Sequence, residues 1–323
     1  MRQGKGVRSY IEESNVQRKL TFQINISDQQ KLLLQIFAMS STSTKVVKVS
    51  SEVHLHLILT TPAGHVDSNA PTLFFLHFWG GSANTFSSVT NTLSPIFPTI
   101  ALDFRGWGAS TGPNEAGAYS TTDFATDVEK VIQELGLRSV VLVGHSMGGK
   151  VAVSVAGRHA LPAGILKGLA LLAPAPPTPL SLPDPNMREQ QLHAFDNTEN
   201  AEVVIRDFLT APNNPVLTDE LVKSTAEDMV RGNRWAKAAW PAYGMPEDIT
   251  GLFDRIDTPV LVVAGANDII EPAERMKTDV RDRLNSRPGG KAILDIIENS
   301  GHSLPVEKPA EVAKSIRKFV ERL

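Results

Sequence analysis

An α/β architecture, with a mostly parallel central sheet and helices on both faces, is what this sequence of 323 residues predicts. Three observations carry it. Short, continuous apolar runs recur along the chain, as strands buried on both faces require. Segments with apolar residues at helical spacing lie between them, and right-handed crossovers then place the helices on both sides of the sheet. The alternation is broken once, by a long stretch with no such run.

In chain order, residues 1–44 stand apart. They hold six Lys or Arg against three Asp or Glu, show no clear period and end in the polar tract Ser40 to Thr44. A weakly ordered N-terminal extension is expected there, with Met39 as an alternative natural start. The remaining residues, 45–323, read as one domain. Val53 to Thr60 alternates and then runs apolar. Thr72 to His77, Thr99 to Asp103, Ser139 to Gly144, Leu166 to Ala173, Pro259 to Gly265 and Ala292 to Ile297 read as buried strands. Asp123 to Leu135 is the clearest helix, with Phe124, Val128, Val131, Ile132 and Leu135 on one stripe. Met147 to Arg158 and Ala310 to Leu323 follow the same pattern. The break begins at the proline-rich exit Pro174 to Pro185 and lasts until about Ile256, far longer than an ordinary connection. A helical lid insertion over about 175–256 is expected, above the strand carboxyl ends where ligands of open α/β sheets bind.

Composition narrows the function. Hydrophobic residues at 41% and charged residues at 21% fit an ordinary globular chain. The formal charge of −3 offers no basic field for a phosphate backbone, so nucleic acid is not an expected partner. With no cysteine, disulfides, Cys-ligated zinc and Cys nucleophiles are excluded. No run approaches the ~18 apolar residues of a membrane span; the best, Leu32 to Met39, is broken by Gln35 and follows a mostly polar segment. A soluble, cytoplasmic protein without a membrane partner is expected. Oligomeric state is not legible.

Gly144-His145-Ser146-Met147-Gly148-Gly149 carries the chemistry. It follows a buried strand and opens a helix, the context that gives G-x-S-x-G its meaning. A sharp turn there needs Gly144 and Gly148, and it projects Ser146 at a helix amino terminus, where N–H groups favour developing negative charge.

With three further motifs the chain resembles an α/β-hydrolase over roughly Val46 to Leu323. These are His77-Phe78-Trp79-Gly80-Gly81, Asp103-Phe104-Arg105-Gly106-Trp107-Gly108-Ala109-Ser110 and the closing Gly301-His302. The resemblance implies a catalytic triad in the order nucleophile, acid, histidine. Ser146 is then the nucleophile and His302 the base, since it alone of the eight histidines lies on a loop after the last strand. Asp268, in Gly265-Ala266-Asn267-Asp268, is the acid. Some relatives place the acid one strand earlier, but the exit Leu172 to Pro176 has no carboxylate, and Asp254 and Asp257 precede their strand. Oxyanion donors would be the backbone N–H groups of Met147 and, by the resemblance, Phe78. Trp79 is similar to the aromatic near the hole in cofactor-free haloperoxidase and perhydrolase relatives, or simply packs its loop. Asp103 and Arg105 are expected to tie down loops near the site.

Substrate binding is expected from Trp79, His145 and Trp240. The lid's Phe195, Phe208, Leu209, Met229, Trp235, Trp240 and Tyr243 suggest a small or medium apolar acyl substrate, and they suit a lid core equally well. The expected function is hydrolysis of a carboxylic ester or lactone through an acyl-enzyme. A C–C hydrolase, amidase or cofactor-free perhydrolase would use the same triad, and a ligand receptor of this fold is the alternative of another class. No cofactor or metal is expected: an Asp-nucleophile elbow, a metal-binding His pair and a phosphate-binding Gly-rich loop are all missing from the sequence.

Overall fold

The computed structural model describes residues 40–63, 70–180 and 184–323. The expectations for residues 1–39, including the start at Met39, lie outside them. The strands are β1 (Ser40–Lys48), β2 (His54–Pro62), β3 (Thr72–Leu76), β4 (Thr99–Leu102), β5 (Val140–His145), β6 (Leu166–Leu172), β7 (Val260–Gly265) and β8 (Ala292–Ile297). They form one sheet in the order β1-β2-β4-β3-β5-β6-β7-β8. Only the pairings of β1 with β2 and of β2 with β4 are antiparallel; the rest are parallel.

The continuous apolar strands are explained by what lies on each face. Phe74, Leu76, Val140, Leu142, Leu169, Leu171, Val260 and Val262 point to one core cluster. Leu73, Phe75, Val141, Val143, Ala170, Leu172, Leu261 and Val263 point to the other. The period of two thus sends alternate residues to opposite faces, both dry. Helices α1 (Ser87–Leu93), α2 (Thr121–Glu134) and α3 (Met147–Arg158) cover the sheet, α2 and α3 on the first cluster and α1 on the second. Helix α2 begins with a capping box between Ser120 and Asp123, and it buries the expected stripe of Phe124, Val128, Val131 and Ile132.

One element corrects the sequence reading. Residues 40–44, expected within the N-terminal extension, are the first half of β1, paired with β2 from Ser40↔Pro62 onward. Only Val47 of this strand is buried. An edge strand exposed on both faces has no apolar pattern to read, and its Ser, Thr and Lys residues guard the open edge.

Between β6 and β7 the described residues contain helices and no strand. They include α4 (Pro185–Leu192), α5 (Thr198–Val204), a π-helical turn Ile205–Leu209, α6 (Asp219–Met229), α7 (Arg234–Ala239) and a second π-helical turn Trp240–Gly244. This cap sits over the carboxyl ends of the strands. Trp79 Nε1 donates to Lys237 O at 2.9 Å, the Ser82 hydroxyl donates to Asp228, and Ser303 N–H donates to Leu209 O at 2.7 Å. The last helix, α8 (Pro309–Val320), closes the second face with Val312, Ile316 and Phe319. Among the described residues no helix is long and apolar enough to cross a membrane.

Candidate active site

The turn from β5 into α3 is as tight as its glycines imply. Ser146 has φ 51 and ψ −114, a conformation that L side chains rarely adopt. A Cβ on Gly144 would stand 2.4 Å from Gly148 O, and one on Gly148 would stand 2.2 Å from Leu76 O. The bend is clamped through the Ser146 carbonyl, which accepts N–H groups from Gly149, Lys150 and Ala175 at 2.9, 3.2 and 3.0 Å. Its hydroxyl is not spent on capping the helix it begins, and Ser146 is 9% exposed.

Two backbone amides near the elbow have no partners among the described residues. Met147 N–H opens α3, and Phe78 N–H follows β3; neither finds an acceptor among the described residues. The loop carrying Phe78 is held from beneath by His77. Its Nδ1 donates to Phe78 O at 2.7 Å and its Nε2 accepts Phe104 N–H at 3.0 Å, so the ring is neutral, and burial lowers its pKa accordingly. Gly81 N–H closes a turn on Phe78 O at 2.9 Å. Asp103 does the work expected of it. Its carboxylate accepts Ala83 N–H at 2.6 Å and Ala109 N–H at 3.0 Å, and it contacts His56 Nδ1 at 2.9 Å. Arg105 is a bidentate partner of Asp127 on α2, at 2.6 and 2.7 Å.

The loops that follow β7 and β8 meet because Gly265 lets them. A Cβ there would stand 2.2 Å from Gly301 O. Backbone bonds from Ala266 N–H to Ile297 O and from Asn267 N–H to Ser300 O join the two loops at 3.0 and 2.9 Å. His302 Nδ1 lies 2.8 Å from Asp268 Oδ2, and both side chains are buried. Asp268 Oδ1 accepts the N–H groups of Ile270 and Glu271 at 2.8 and 2.9 Å, which fixes the carboxylate's orientation. Burial pushes the His302 imidazolium down, but Asp268, then Glu271 and Glu307, outweigh it and hold its pKa above the ordinary value. No hydrogen bond joins His302 to the Ser146 hydroxyl among the described residues. Catalytic contacts of this kind often tighten only once substrate is bound.

The expected substrate-binding residues fare differently. His145 is fully buried, and its Nε2 donates to the backbone carbonyl of His302 at 2.8 Å. Burial holds it well below the usual imidazole range. It therefore supports the His302 loop from inside the fold, which corrects the expectation that it meets substrate. Trp79 packs on Phe195, ring centroids 4.4 Å apart, and gives its N–H to the cap. Trp240 is buried over the Lys150 ammonium, 5.8 Å from its ring centroid. Trp79 thus packs its loop against the cap, and Trp240 packs within the cap above α3. Three residues that the sequence did not single out belong to this neighbourhood: Lys150, Glu271 and Glu307, all ionisable and all almost wholly buried. Their only sequence signal is proximity to Ser146, Asp268 and His302.

Comparison with known proteins agrees with this architecture. The profile of the alpha/beta hydrolase fold family matches residues 71–309. The non-heme chloroperoxidase CPO-A1 of Kitasatospora aureofaciens is 27% identical over 275 residues, spanning 77% of this chain and 90% of the relative. The soluble epoxide hydrolase of Corynebacterium sp. (strain C12) is 26% identical over 274 residues, spanning 76% and 89%. Among solved structures, an esterase from Exiguobacterium antarcticum superposes with a TM-score of 0.71 at 19% identity, covering 86% of this chain and 99% of that one. At that identity the likeness is one of fold.

Proposed function

The chain belongs to the α/β-hydrolase fold family, and from that premise we propose that it is a serine hydrolase of small or medium apolar carboxylic esters or lactones. One observation carries the reading. A strained serine opens α3 with its hydroxyl uncommitted, and the ring of His302, held at Nδ1 by a buried carboxylate, lies 5.1 Å from that of the adjoining His145. Ser146 Oγ attacks the acyl carbon as His302 Nε2 takes its proton, and the Phe78 and Met147 N–H groups receive the oxyanion. The tetrahedral adduct collapses, the acyl–oxygen bond breaks, and His302 protonates the departing alkoxide. Water then attacks the acyl-enzyme, giving its proton to His302, and the carboxylic acid leaves with the Ser146 hydroxyl restored.

Relatives of this fold carry names from several chemistries, so the preference for an acyl substrate rests on the site. A serine at the elbow supports an acyl-enzyme over the alkyl-enzyme ester that an aspartate would form with an epoxide. An apolar, neutral substrate is supported by the apolar side chains packed around the elbow and the loop after β3. Phe78 flanks the elbow, and Phe195 and Met229 press on Gly80 from the cap. Two ammonium groups at the cap junction are already occupied: Lys237 donates to Phe195 O at 2.7 Å and Lys150 to three backbone carbonyls. The test is hydrolysis of p-nitrophenyl esters from acetate to octanoate. Turnover is expected to fall by about 10⁴-fold or more in Ser146→Ala, with the chain-length profile reporting pocket size. Turnover that survives the substitution, or none in folded wild-type protein, overturns the proposal.

A further inference from the structure

One buried carboxylate beside the base has no role in the reaction just proposed. Glu307 ends the short helix Leu304–Glu307 and is 1% exposed. Its Oε2 accepts the Gly301 N–H at 2.9 Å. Its Oε1 accepts the Ala211 N–H at 2.7 Å and the Asn214 side-chain amide at 2.9 Å. Gly301 immediately precedes His302, whereas Ala211 and Asn214 belong to the cap. A single carboxylate therefore grips the loop of the base with one oxygen and the cap with the other.

Two further contacts make this junction close. Ser303 N–H, on the far side of His302, donates to Leu209 O at 2.7 Å. A Cβ on Gly301 would stand 2.7 Å from both Ala211 N and Thr210 C, so the two backbones run in direct contact. The cap segment here leaves the π-helical turn Ile205–Leu209, which Thr210 Oγ1 closes by donating to Ile205 O at 2.8 Å. His302 is thus bracketed by cap contacts on both sides.

Only a carboxylate offers an acceptor oxygen to both sides of the junction, and burying it is unfavourable even when three donors satisfy it. The charge adds a field at the imidazole. Facing His302 are Asp268 and Glu271 from the loop after β7, Glu307 from its own loop and the neutral His145 from the end of β5. Resting on the acyl-transfer reading, we propose that Glu307 is a positioning residue, which locks the His302 loop to the cap and supports the imidazolium formed as Ser146 gives up its proton. The base is held for catalysis while the cap is seated, and cap movement is felt directly at His302.

Glu307→Gln tests this, because an amide must turn a donor toward one of the N–H groups that the carboxylate satisfied. Rates are referred to active sites counted by fluorophosphonate labelling of Ser146. The expected result is a kcat lower by about 10- to 100-fold with KM within about twofold of wild type. Removing a negative charge disfavours imidazolium, so the acidic limb of kcat/KM against pH should move down by about half a unit or more. The downfield Nδ1–H resonance of His302, identified by its loss in His302→Ala, should titrate with the same lowered midpoint. A purely structural role would reduce the number of labelled sites but leave kcat per site and both midpoints unchanged, and that result overturns the proposal. If wild-type protein shows no Ser146-dependent turnover, the hydrolase reading falls, and the resonance midpoint still decides the role of Glu307. Should E307Q fail to fold, Asn214→Ala removes one of the two cap donors to Oε1 without touching the charge. It is expected to lower kcat per site about threefold at constant KM, and an unchanged kcat overturns the link.

Discussion

His302 is held between opposing forces, and their balance sets a pH dependence. Burial pushes the ring's pKa down, but the Asp268 carboxylate 2.8 Å from Nδ1 tips it the other way, with Glu271 and Glu307 adding to it. The proposed base must be neutral to accept the serine proton. Activity should therefore rise with pH through a midpoint above that of an exposed imidazole. Asp268→Asn removes the strongest charge that opposes burial, so the midpoint should fall from its wild-type position. Turnover should fall by about 10⁴-fold, because an amide no longer selects the Nδ1–H tautomer. A pH profile of kcat/KM for both proteins decides it, and an unmoved midpoint in D268N would remove Asp268 from the assignment. The triad candidates were legible because each sits just past the carboxyl end of a strand whose apolar run is plain in the sequence. His145 was misread for a related reason. It too lies at a strand end, and only the folded chain places the His302 carbonyl against its Nε2.

At the scale of elements, the cap is fastened to the sheet domain through charged side chains that reach its backbone. Lys150 lies one turn beyond Ser146 on α3. Its ammonium donates to the carbonyls of Gly244, Met245 and Glu247 at 3.1, 3.3 and 2.6 Å. These carbonyls end the π-helical turn Trp240–Gly244 and the segment after it, where helical geometry leaves acceptors without partners. Burial pulls the ammonium down to about 8, still charged at neutral pH, as a cradle of three acceptors requires. Lys150→Met fits the space but strands those acceptors. It should cost roughly 1–3 kcal/mol in urea unfolding at pH 7 and raise amide exchange in residues 240–247. Wild-type stability together with wild-type exchange would show that the cap is held elsewhere. The helical insertion itself was legible from the absence of buried-strand patterns between β6 and β7. Its fastening was not, because a lysine after G-G reads as surface until its acceptors, almost a hundred positions further along the chain, are in place. Strand β1 escaped for the opposite reason: its order comes from backbone pairing with β2, and that pairing leaves no trace in side-chain pattern.

For the molecule as a whole, the site is assembled at a cost in stability that pH can expose. Glu271, 1% exposed, ion-pairs with Arg275 at 3.0 Å, yet burial raises its carboxyl from 4.5 to about 7 despite the opposing pull of His302 and Arg275. A carboxyl raised on folding is protonated more in the native than in the unfolded chain between those two values. Stability is therefore greatest at the acidic end of that window and falls as pH rises through it, by at most about 3 kcal/mol once pH 8 is reached. Charged residues are mostly found outside, so nothing in the pattern around Asp268 signals this burial. Glu271→Gln keeps the shape and removes the titration. Relative to wild type it should gain stability steadily between pH 5 and pH 8 in urea unfolding, and a difference that stays constant with pH would refute the assignment. The same substitution removes one of the three carboxylates facing His302, so the acidic limb of kcat/KM should move down while stability at pH 8 moves up. That opposition is what a charge retained for the base, at the expense of the fold, must produce.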